Sequence, residues 1–213
     1  MFRAISSSGI RRAAAVSAAG VLAISGVLAS GVTSASADTT ATIKYPVNGT
    51  THLAVPNANL TLGPGKLVST ADLNTDTLTA TLTLPPATGS LNELGVVPVT
   101  ATAKLINDGP TTGTINGSTG AVTTTSNIIM RITNLTVAGI NTPVGNTCQT
   151  STPVSVTVNS QPGFSILKGG NLDGTYTIPS FANCGLATLL INLTLPGSGN
   201  TISLTLGKGK FVS

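Results

Sequence analysis

Apolar residues recur at every second position along most of this chain, and that period constrains its fold more than any other feature. Ile43, Tyr45 and Val47 alternate with Thr42 and Lys44. Leu78, Ala80, Leu82 and Leu84 alternate with Thr77, Thr79, Thr81 and Thr83. Val154, Val156 and Val158 alternate with Ser155 and Thr157. A strand points successive side chains to opposite faces, whereas a helix needs a period near 3.6. The same alternation carries Leu60 and Leu62, then Val97 to Leu105, then Ile128, Met130 and Ile132. It returns at Tyr176 and Ile178, at Leu189 to Leu195, and at Ile202, Leu204 and Leu206. Leu135 and Val137 are out of phase with Ile132, which predicts a bulge near Thr133-Asn134.

Turn signals separate these runs: Asn48-Gly49, Gly63-Pro64-Gly65, Pro85-Pro86, Asp108-Gly109-Pro110, Asn116-Gly117, Asp173-Gly174 and Pro196-Gly197. Short strands between such turns mean an antiparallel sandwich or barrel. The expectation is all-β, a single antiparallel β-sandwich of immunoglobulin-like or jelly-roll-like type. A short helical turn is expected near Phe181–Ala187. Faces opposite the core carry Thr, Ser and Asn, which leaves strand edges without the usual lysines. Pro46, Pro98 and Pro153 suit edges or strand starts.

The first 37 residues read differently. Arg3, Arg11 and Arg12 precede a weakly apolar stretch from Ala13 to about Ala29, then Ala35-Ser36-Ala37. That order is a secretory signal with a small-residue cleavage site. Bulky apolar residues do not follow Arg11-Arg12, so the general export route is favoured over the twin-arginine one. Residues 38–213 are then one secreted or cell-surface-associated domain, with no transmembrane anchor. Three of the ten basic residues leave with the signal, so seven face six acids. No basic patch of the kind nucleic acid needs is legible in the remainder. Cys148 and Cys184 are the two cysteines. In an exported chain they pair as a disulfide.

Chemistry-bearing residues are sparse. His52 is the one imidazole, beside the Asn48-Gly49 signal, and reads as a solvated loop histidine. A Ser-His-Asp system would have to use it, yet no Gly-x-Ser-x-Gly elbow is present. The acids are Asp38, Asp72, Asp76, Glu93, Asp108 and Asp173, without the aromatic residues that usually line glycan sites. Asp72-x-Asn74-x-Asp76 copies the first half of a calcium loop, but Thr77 and Thr83 stand where Gly and Glu belong. It reads as a turn before a strand. Thr75 to Thr83 at alternate positions is the chain's ordinary solvated face rather than an ice-binding array. No catalytic residue, cofactor or metal is assigned.

The stretches Gly113–Gly117, Val137–Val144 and Cys148–Val154, with the Ala-rich leader and single cysteine pair, resemble secreted Thr-rich β proteins of actinobacteria. The resemblance implies a compartment outside the cytoplasmic membrane and supplies no site residues. The expected function is a secreted, non-catalytic structural, surface-associated or protein-binding role. Partners would be a cell-envelope component or a second copy meeting strand edge to strand edge. The alternatives are a carrier of a small apolar ligand between two sheets and an unidentified hydrolase.

Overall fold

Alternation becomes two walls of one barrel. The computed structural model describes residues 40–93 and 97–212. The expected signal segment 1–37, Asp38 and the side chain of Glu93 lie outside the described residues. The strands are β1 (Thr40–Leu53), β2 (Ala58–Asp72), β3 (Thr77–Thr83), β4 (Ala87–Glu93) and β5 (Val97–Asn107). Then come β6 (Thr111–Ile115), β7 (Val122–Val137), β8 (Ile140–Asn141), β9 (Gln149–Thr150) and β10 (Val154–Ser160). The chain ends with β11 (Gly170–Ile178), β12 (Phe181–Ala182), helix α1 (Thr188–Thr194), β13 (Gly197–Leu206) and β14 (Lys210–Phe211).

The expected sandwich is wrong: the sheet closes into an eight-stranded antiparallel barrel. Its ring runs β1-β2-β3-β6-β7-β10-β11-β13 and returns to β1. The pairing of β7 with β10 makes the closure, with Thr125 opposite Thr157 and Ile128 opposite Val154. A sandwich leaves two sheets with free edges, whereas a barrel removes the edges altogether. The β4–β5 hairpin branches off where β5 pairs with the second half of β7.

The register gives the barrel's shear directly. Starting at Thr42, opposite neighbours are Thr70, Thr79, Thr112, Thr125, Thr157, Thr175 and Thr201, and the row re-enters β1 at His52. The return point lies ten residues further along β1 than the start. Ten steps of about 3.3 Å against eight spacings of about 4.8 Å tilt the strands by roughly 40°. That falls in the ordinary range for a barrel of this size.

Glycine explains why three turn signals misread. Asn48-Gly49, Gly63-Pro64-Gly65 and Asp173-Gly174 lie inside β1, β2 and β11. A Cβ on Gly49 would sit 2.4 Å from the Ser203 carbonyl oxygen, and one on Gly174 would sit 2.0 Å from that of Thr157. Such close approach lets a strand coil around a small barrel. A register shift between Val47 and Gly49 adds a bend in β1. The bulge expected near Thr133-Asn134 is present: Thr102 faces Asn134, Ala103 faces Ile132, and Thr133 is the extra residue.

One run changes type. Leu189 to Leu195 alternates like a strand but forms α1, after a 3-10 turn at Gly185–Ala187. Ala187, Ile191 and Leu195 are buried while Leu189 and Leu193 are exposed. A four-residue interval is helical spacing, and Leu is a good helix former. Cys148 and Cys184 are bonded, both with no exposed surface. The bridge ties the 138–153 connection to the segment before α1 at one end of the barrel. The closed ring, its core and its disulfide are complete within residues 40–212, and Ala37–Ser213 forms one compact unit.

Candidate functional site

The inward set is almost wholly apolar and leaves little room. Ile128, Val156 and Ile202 line both of two interior cavities and separate them. One cavity, of about 70 Å³, lies under the β10–β11 loop (161–169) and is lined by Phe164 and Ile166 of that loop. The other, of about 80 Å³, lies towards α1 and is lined by Leu60, Phe181 and Leu195. The loop is tethered across the barrel mouth where the Tyr45 hydroxyl donates to the Ile166 carbonyl at 2.7 Å. Burial pushes the Tyr45 phenol up from its ordinary 10.0 to about 12. The Tyr176 phenol is likewise raised by burial, against a lowering bond to Thr51. The Thr51 and Tyr176 hydroxyls lie 2.6 Å apart.

The outward set is a hydroxyl and amide coat. The threonine row described above has a parallel partner: Thr40, Asp72, Thr77, Thr114, Thr123, Asn159, Asp173, Ser203 and Thr50. Neighbours on these rows bond one another, as Thr42 does Thr70 at 3.0 Å and Thr125 does Thr157 at 2.9 Å. Cross-strand hydroxyl pairs of this kind stabilise a sheet while keeping its outer face wettable.

His52 lies on this wall, in strand β1 rather than in a loop. It faces Thr201 on one side and Asn59 on the other. Its Nδ1 donates to the Asn59 amide oxygen at 3.0 Å. A shallow open groove brings His52, Asp173 and Ser203 onto one stretch of wall. Asp173 and Ser203 are directly opposed on β11 and β13, and Asp173 Oδ1 is buried without a hydrogen-bond partner. Yet a triad needs the carboxylate on the imidazole, and here an amide holds that position. Asn59 is the residue that sequence reasoning missed. Only its position opposite His52, seven residues on, could have revealed it.

Asp72 caps a turn. Its Oδ1 accepts from the backbone N–H groups of Asn74 at 2.9 Å and Thr75 at 3.3 Å. The Asn74 N–H, then the Thr75 hydroxyl, hold its carboxyl below the usual range. Asp76 adopts a positive φ of 54° at the end of the same turn. The half calcium motif is thus a β2–β3 turn in which Asp72 already serves the backbone.

Asn200 is the polar side chain the sequence did not single out. It has no exposed surface. Its Oδ1 accepts from Ala54 N at 3.0 Å, and its Nδ2 donates to Gly197 O at 2.8 Å and Tyr176 O at 3.2 Å. It locks the β1–β2 turn onto β11 and β13. Comparison of the chain with protein-family models, with curated proteins and with solved structures finds no match.

Proposed function

We propose that this protein is a secreted, non-catalytic β-barrel with a structural, cell-surface-associated or protein-binding role. The observation that carries the reading is the polarity of the two walls. Apolar side chains fill the interior, and continuous rows of hydroxyl and amide groups coat the outside. A barrel that crosses a membrane has the opposite polarity, apolar outside and polar within. This one is built to work in water through its outer surface. The amide partner of His52 and the disulfide support the non-catalytic and oxidising-compartment parts of the reading. A ligand carrier of ordinary kind uses roughly 300–1,000 Å³. Cavities of about 70 and 80 Å³ fall far short, and we do not carry that alternative forward.

Two assays test the proposal. Fractionation of the native cells, with N-terminal sequencing, should find the protein outside the cytoplasmic membrane and beginning at Asp38. Residues 1–37 intact on the extracellular form would count against it. A hydrolase substrate panel should show no turnover. Turnover that disappears in His52→Ala would overturn the non-catalytic reading.

A further inference from the structure

We propose that the barrel end built from the start of β1, the 161–169 loop and β14 docks onto an anionic lipid membrane without crossing it. The inference rests on the surface-associated reading above and names its partner.

Lysines outnumber acids at this end of the barrel. Seven basic residues fall between 40 and 212, and five of them, Lys44, Lys66, Lys168, Lys208 and Lys210, meet at this end. Lys44 is directly opposite Lys210. Lys66 is opposite Pro46, whose carbonyl accepts from Gly207 N at 2.9 Å, next to Lys208. Leu167, beside Lys168, accepts at its carbonyl from Gly209 N at 3.0 Å. All five lysines are exposed. Two acids share this mouth, since Asp72 is opposite Thr40 at the start of β1 and Asp76 ends the same β2–β3 turn beside Gly117, so five lysines stand against two carboxylates there; Asp173 faces Ser203 further along the wall.

The same end exposes apolar surface. Phe211 is 67% exposed, Leu167 51% and Val212 48%. Phe211 follows Lys210 and lies opposite Ile43, and Val212 N donates to Thr42 O at 2.9 Å. A soluble polyanion would use the lysines and leave these three side chains in water. An anionic bilayer uses both: ammonium groups reach the headgroups while Phe211 and Leu167 enter the interface. The hydroxyl coat of the wall above limits the depth of entry.

The test uses residues 38–213, sedimented with vesicles of phosphatidylcholine alone or with about one-third phosphatidylglycerol. We expect partitioning at least about tenfold stronger on the anionic vesicles, and lost as NaCl rises. K208E/K210E and F211S should each weaken it by about tenfold or more. These positions are exposed, and thermal melting checks that each variant stays folded. The salt titration needs no variant. Equal binding to both vesicles, or binding to neither, overturns the proposal. So does binding that soluble polyphosphate abolishes and F211S leaves intact, which assigns a polyanion site instead. Any of these failures leaves the non-catalytic reading to its own assays.

Discussion

Tyr45→Phe isolates the tether that holds the 161–169 loop over the barrel mouth. The substitution removes one hydroxyl and keeps the ring. It deletes the 2.7 Å bond to Ile166 O and leaves that half-buried carbonyl without its partner. A net hydrogen bond contributes about 0.5–1.5 kcal/mol, and an abandoned acceptor costs more, so the loss should be about 1–2 kcal/mol at pH 7. For a chain of this size that lowers Tm by roughly 3–6 °C. The phenol adds a second, pH-resolved readout. Its folded pKa is raised from 10.0 to about 12. The stability it contributes is therefore whole below pH 10 and is lost as pH climbs toward about 12. The full rise corresponds to roughly 2.7 kcal/mol, and screening at the mouth reduces this to about 1–2 kcal/mol. Tyr176 is raised in both proteins and cancels in the difference. Urea unfolding of the parent and Tyr45→Phe from pH 7 to pH 12 should show curves that converge above pH 10. Trypsin cleavage after Lys168 in the loop should be faster in the variant by about 5- to 30-fold where loop opening precedes cutting. Equal stability at pH 7, or parallel curves through the alkaline range, would refute the tether.

Three further substitutions probe the rest of the frame. Cys148→Ser with Cys184→Ser opens a loop of sequence separation 36 and should cost on the order of 3–4 kcal/mol in denaturant unfolding. Alkylation of the parent under denaturing, non-reducing conditions should add nothing to its intact mass. Ile128→Ala removes a side chain that separates the two cavities, so it should merge them and cost about 4–5 kcal/mol, the upper part of the usual range. A loss below about 1.5 kcal/mol would mean that the interior collapses around the gap. Asn200→Ala strands the Ala54 N–H and frees two carbonyls, and should cost roughly 2–4 kcal/mol.

Much of the barrel is legible as strands because its two walls have opposite chemistry at each step. Ile43, Tyr45 and Val47 are buried as their spacing requires, and so are Val154, Val156 and Val158. Closure was not legible, because it depends on which distant strands meet. Nothing local to Thr123–Asn127 or Ser155–Asn159 announces that β7 receives β10 on one side and β6 on the other. Glycines in mid-strand were the available hint, and in Gly49 and Gly174 they read as turns because the same residue serves both purposes. α1 was hidden by Leu-rich alternation that fits either period over so few residues. At His52 the sequence excluded the neighbours a triad needs, while the Asn59 contact required the β1–β2 register. The lysine end escaped because its members come from β1, β2, the 161–169 loop and the C-terminal segment.

Closure is the central claim, since the packed interior and the continuous outer coat both follow from it. Native-state hydrogen exchange resolved at each amide tests it most directly. In an antiparallel strand, alternate N–H groups point to opposite neighbours. If β7 lies between β6 and β10, every amide from Thr123 to Thr125 should be protected, by about a thousandfold or more. If the sheet were open at β10, every second one of these amides would exchange at nearly the rate of an unstructured chain, and the barrel would be wrong.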